Sequence, residues 1–169
     1  KKYNNIKLRV PKVAVIGTDD FDHFMEDNKL WKTAFSKEKT DKAIIKAFLR
    51  GKLSKKLIRT LSKYLTEVKY PIAVRSSSLL EDSQYQPLAG MYSTYMLPNS
   101  DTSKTVRLEQ LKKAIKLVYA STYLKEPKAL IENSVHHHEE EKMAVIIMEL
   151  VGKEHRNLFD LMGQLSEEI

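Results

Sequence analysis

The chain has 169 residues, of which 42% are hydrophobic, a net charge of +7 and no cysteine. This length and apolar content can bury an ordinary core, as one domain or two small lobes, and argue against disorder. The lack of cysteine excludes disulfides, thiolate catalysis and cysteine-based zinc sites, and agrees with a reducing cytoplasm.

No apolar run approaches the roughly 20 residues that cross a bilayer, and the start, Lys1-Lys2-Tyr3-Asn4-Asn5, is not followed by the apolar stretch of a signal peptide. A soluble, cytoplasmic protein with no membrane partner is expected. The positive charge is uneven: residues 1–69 carry 18 Lys and Arg against 8 Asp and Glu, whereas residues 70–169 carry 11 against 14. Much of the excess lies where Lys52, Lys55, Lys56, Arg59 and Lys63 share one face of a helical pattern and Leu53, Leu57, Leu61 and Leu65 share another. That is a solvated amphipathic helix. With no aromatic-interleaved basic patch beside it, no nucleic-acid partner is expected.

In chain order, the first predicted element is a strand over Val10 to Ile16, ended by Gly17 and followed by a helix that Thr18 can cap, with Asp19 and Asp20 in its first turn. Phe21, Phe24 and Met25 recur at helical spacing and read as core. Two more helices follow, from Asp41 to Arg50 with Gly51 as its stop and from Lys55 to Val68 with Ser54 as its cap. A second strand, Ile72 to Val74, delivers Arg75 into a polar loop, Ser76 to Ser83, that runs on to Gly90. Residues Met91 to Leu97 read as a third strand, and Leu108, Leu111, Ile115, Val118 and Tyr119 mark a long helix within the Lys104 to Tyr123 region. A shorter helix is predicted from Pro127 to Asn133. The apolar run Met143 to Met148 reads as a central strand covered on both faces. Strands separated by helices make the chain α+β or α/β.

Common phosphate-binding and catalytic motifs are missing: there is no Gly-x-x-x-x-Gly-Lys-Ser/Thr, no Gly-x-Gly-x-x-Gly and no Gly-x-Ser-x-Gly. What stands out is an arginine after a strand, followed by three serines and an acidic pair. A guanidinium on a rigid strand can hold phosphate oxygens bidentately, with serine hydroxyls and loop amides as further donors. The same residues are also compatible with Arg75 pairing to Glu81 or Asp82 while the serines cap a turn. His136-His137-His138 beside Glu139-Glu140-Glu141 reads as an exposed loop, because consecutive residues seldom converge on one ion.

The segment Ala73-Val74-Arg75-Ser76-Ser77-Ser78-Leu79-Leu80-Glu81-Asp82, followed by Ala89-Gly90 and Thr94-Tyr95, resembles the phosphoenolpyruvate synthase and pyruvate phosphate dikinase family. Val10-Pro11 through Thr18 and Phe21, Val118 to Ser121, and Lys142 to Ile147 are similar to other parts of that family in the same order, so the likeness covers residues 10–152. The resemblance implies a partial ATP-grasp-type domain with a mixed sheet and flanking helices. Residues 1–70 would supply the first strand and basic helices, residues 71–152 the phosphate loop and hinge strand, and residues 153–169 stay unassigned.

It also implies an ATP-binding portion of a phosphotransferase that passes phosphate toward a histidine on a separate swivelling domain, with acceptor domains further downstream. Arg75, Ser76 and Ser77 would meet the phosphates, Arg75 as the catalytic cation. Gly90 would cover the phosphates, and Glu149, Leu150 and Val151 would form the hinge against adenine, with the Glu149 side chain able simply to face solvent. The family's glycine-glycine-lysine segment before the first strand has no counterpart here, and the family more often carries glutamine at the positions of Met91 and Met148. Magnesium ligands would lie outside this chain, and the chain alone is expected to be inactive. A non-catalytic nucleotide-sensing or scaffold domain of the same fold is the alternative.

Overall fold

The computed structural model describes residues 10–77, 93–125 and 142–152. Along them run β1 (Val13–Ile16), α1 (Thr18–Asp27), α2 (Trp31–Ala34), α3 (Asp41–Arg50), α4 (Lys55–Glu67), β2 (Ile72–Ser77), β3 (Thr94–Leu97), α5 (Lys104–Ser121) and β4 (Ala144–Glu149). Three helices start on a side-chain cap: Thr40, Ser54 and Ser103 accept from the N–H groups of Ala43, Leu57 and Val106 at 3.3, 3.1 and 3.4 Å. Thr18 is instead the first residue of α1, whose N-cap is Gly17 without a side-chain bond, and Asp19 and Asp20 occupy the first turn as expected. The four-residue α2 has no counterpart in the sequence expectations, and the predicted helix over Pro127 to Asn133 lies outside the described residues.

The strands form one sheet in the order β1-β4-β2-β3. Every described pairing is antiparallel, so the mixed sheet expected from the sequence is not what these strands make. The reason is the late strand β4, which enters between β1 and β2 and runs against both. β1 and β2 therefore run in the same direction without pairing to each other. β2 also continues to Ser77 instead of ending at Val74, because it has partners on both sides as far as Arg75 and on the β4 side as far as Ser77.

The core lies between one face of this sheet and the helices. The sheet contributes Ile16, Ile72, Val74, Val145 and Ile147, with Ala14, Tyr95 and Leu97 packed at its margin. The registers pair Ala14 with Ile147, Ile16 with Val145, Val74 with both Ile147 and Tyr95, and Ile72 with Leu97, which places all of them on the same side. α5 presents Leu111, Ile115, Val118 and Tyr119 to that side, and α4 presents Leu57, Leu61 and Leu65. Phe21, Phe24 and Met25 of α1 are buried as predicted, with the Phe21 ring edge-on to Tyr119 at 5.1 Å. Each such buried side chain contributes roughly 1.5–3 kcal/mol of transfer free energy.

Entry into β2 is fixed by a buried polar clamp. Arg107 donates to Val68 O at 3.0 Å and to Asn99 Oδ1 at 3.3 Å, while Asn99 Nδ2 donates to the carbonyls of Val68 and Tyr70. Asn99 adopts φ 51°, a left-handed conformation that asparagine tolerates better than most residues. The clamp joins the ends of α4 and β3 to α5 and so aims the strand that carries Arg75.

Candidate functional site

Because strand side chains alternate, the face of the sheet away from the helices carries a second set of residues. It holds Val13 and Val15 of β1, Ile146 and Met148 of β4, Ala73, Arg75 and Ser77 of β2, and Thr94 and Met96 of β3. Val13, Val15 and Met96 are 53%, 65% and 67% exposed. Ile146 and Met148 are half-buried, so β4 is central, as expected, with its open face less covered than its helix-facing one. Ala73, flanked in register by Met96 and Met148, is small enough to be buried between them.

Arg75 is exposed on this open face, opposite Thr94 on one side and Ile146 on the other. It is the fourth residue of a six-residue strand, so its backbone is held by the ladder instead of by a loop. Ser77 shares its face and is half-buried, whereas Ser76 is buried on the helix-covered face beside Val145. The structure therefore brings Arg75 and Ser77 together and turns Ser76 the other way. Gly90, Ser78 to Asp82 and His136 to His138 lie outside the described residues.

At the end of β4 the chain is pinned from both sides. Glu149 N–H donates to Lys12 O at 3.0 Å, and Leu150 N–H donates to Pro71 O at 2.9 Å. The Glu149 side chain does not face solvent: it is 5% exposed, on the covered face, and accepts from the Lys12 N–H at 3.3 Å. Leu150 is half-buried and Val151 is 72% exposed. Nearby, burial, then Tyr70, then the Glu149 carboxylate push the Tyr64 phenol up to about 12.

Sequence reasoning missed the open apolar face itself, although the alternation Val13, Val15 and Ile146, Met148 is visible once the register is known. The covered side offers a cavity of about 140 Å³ between β1, α1 and α4, lined by Asp20, Lys56, Thr60 and Tyr64 among others. Ligand pockets usually span about 300–1,000 Å³, so this cavity is small for a nucleotide. No cluster of three or more His, Cys, Asp or Glu able to hold a metal ion occurs among the described residues, and no helix among them is long and apolar enough to cross a membrane.

An exposed arginine on a rigid, apolar sheet face, next to a strand end with a pinned backbone, is able to hold an anionic group such as a phosphate. The sequence pattern of the family described as "Pyruvate phosphate dikinase, AMP/ATP-binding domain" matches residues 2–161, and the chain belongs to that family. It is also 37% identical over 89 residues to a Bacillus subtilis (strain 168) protein named "Uncharacterized phosphotransferase YvkC". That alignment takes in 53% of this chain and 10% of the relative's length.

Proposed function

We propose that the chain is the ATP-binding portion of a dikinase-type phosphotransferase of ATP-grasp architecture, in which Arg75 neutralises ATP phosphates on the open face of the sheet. The phosphoryl group passes toward a histidine on a separate swivelling domain: a phosphorus–oxygen bond of ATP breaks as a phosphorus–nitrogen bond forms. The observation that carries this reading is the exposed Arg75 on an apolar face of a chain belonging to an AMP/ATP-binding family.

Each residue has a physical task. Phosphoryl transfer depends largely on positioning and on neutralising oxygen charge, and a strand-held guanidinium does both. Ser77 adds a hydroxyl on the same face, and Ser76 supports the strand from the covered side. The backbone of Glu149 to Val151 meets the adenine, while Ile146, Met148 and Met96 offer apolar surface to the nucleoside. Magnesium is the usual counter-ion of ATP, but the described residues give no ligand set for it, so no step is assigned to it.

The test is steady-state kinetics and thermal melting of Arg75→Ala and Arg75→Lys in the full-length protein. Arginine stabilisation of a transferring phosphoryl group can reach ~10³-fold, so Arg75→Ala should lose at least about tenfold in ATP-dependent turnover. Arg75→Lys should recover only part, because the bidentate fork is gone. Normal turnover in Arg75→Ala would remove the reading.

A further inference from the structure

We propose that Glu149 is a positioning residue for the adenine-facing hinge, acting through its buried carboxylate on the side of the sheet away from the nucleotide. The inference rests on the ATP-binding reading above and adds a role for a side chain that touches no ligand.

A carboxylate at 5% exposure has left water, and a buried charge is tolerated only where hydrogen bonds replace its solvation. Register puts Glu149 opposite Ile72 on the helix-covered face, whereas Arg75 projects from the other face. Glu149 thus cannot share the phosphate or base contacts of the open side.

Its side chain instead accepts the N–H of Lys12, the same residue whose carbonyl takes the Glu149 N–H. One residue on, Leu150 N–H is held by Pro71 O. Three bonds therefore tie two consecutive hinge residues to the entry of β1 on one side and the entry of β2 on the other. The first of these strands lies at the sheet edge, where backbone bonds alone hold it on a single side. The carboxylate supplies an extra bond at the point where that edge would fray, and hydrogen bonding to a purine edge tolerates only a few tenths of an ångström of drift.

Glu149→Met and Glu149→Gln in the full-length protein separate this role from plain stability. Methionine keeps the buried volume but leaves the Lys12 N–H without this acceptor, so the melting temperature should fall only modestly and the fold should persist. The KM for ATP should nevertheless rise about fivefold or more while kcat stays within about twofold, the pattern of lost uniform binding. Glutamine keeps an acceptor for the Lys12 N–H and should hold KM within about twofold of wild type. An unchanged KM in Glu149→Met, or equal losses in both variants, overturns the proposal. In the wild-type protein, saturating ATP should slow hydrogen exchange at the Lys12 amide, and an unaltered rate would overturn the proposal without any variant. If Arg75→Ala impairs turnover but Glu149→Met is silent, only this inference falls; if Arg75→Ala is silent, the ATP-binding reading falls with it.

Discussion

At the scale of residues, the Tyr64 and Tyr119 phenols show how burial in this fold sets a limit at alkaline pH. Burial, then Tyr70 and the Glu149 carboxylate, push Tyr64 up to about 12, and burial followed by the Asp20 carboxylate raises Tyr119 further. In the unfolded chain both ionise near the usual value of about 10. Between the two states the folded form keeps more protons, so the stability these groups contribute is full below pH ~10 and is lost as pH rises toward the folded values. Melting temperature should fall from about pH 10 upward, and Tyr64→Phe and Tyr119→Phe should each flatten that fall. Among the described residues neither hydroxyl has a hydrogen-bond partner, so both variants should melt near the wild type at pH 7. Thermal melts from pH 8 to 12 test this, and identical slopes in all three proteins would show that these phenols do not set the limit.

The sequence spoke clearly for some residues and not for others. Arg75 was conspicuous as a lone cation between an apolar strand and a serine run, and the structure exposes it. Glu149 gave no such signal: one carboxylate at the end of an apolar run reads as a strand stepping into water. Only the register with Ile72 and the Lys12 N–H reveals that it turns inward.

Elements differ in the same way. The bounds of α3 and the start of α4 were legible because Gly51 and Ser54 punctuate them locally, and Ser54 does cap α4. Gly51 has a second reason to be glycine: an added Cβ would lie 2.8 Å from Phe24 Cζ and 3.1 Å from Phe48 O. Gly51→Ala should destabilise by about 1–3 kcal/mol through overpacking. At Gly17 an added Cβ meets nothing within 4 Å, and Gly17→Ser offers α1 the cap it lacks, so it should be neutral or gain a few tenths of a kcal/mol. The denaturant midpoint should fall for Gly51→Ala and hold or rise slightly for Gly17→Ser, and a tolerated Gly51→Ala would contradict the close approach of Gly51 to Phe24.

The extent of β2 was not legible, since Arg-Ser-Ser has the composition of a loop. Backbone pairing to β4 carries it on to Ser77, and a partner 67 residues away, Ala144, is not visible in a local pattern. α2 was missed because four residues are too few to show a period.

For the whole molecule, the consequence is a sheet with helices on one face and apolar side chains exposed on the other. Among the described residues nothing covers Val13, Val15 and Met96, while α4 carries its cations Lys55, Lys56, Arg59 and Lys63 exposed on the helical side. Among the described residues a solvated basic surface thus lies on the helical side, and an apolar face lies on the other, with Arg75 at its margin beside Thr94 and Ser77. Apolar surface of that kind, broken by a single guanidinium, suits a flat base joined to a charged phosphate chain.

The most direct measurement of this account is methyl chemical-shift mapping of the full-length protein during titration with ATP. The methyls of Met96, Ile146 and Met148 should shift first and saturably, with those of Leu111, Ile115 and Val118 on the covered side little changed, and Arg75→Ala should weaken the response. Shifts confined to the covered side, around the cavity between β1 and α4, or a wild-type response in Arg75→Ala, would contradict it.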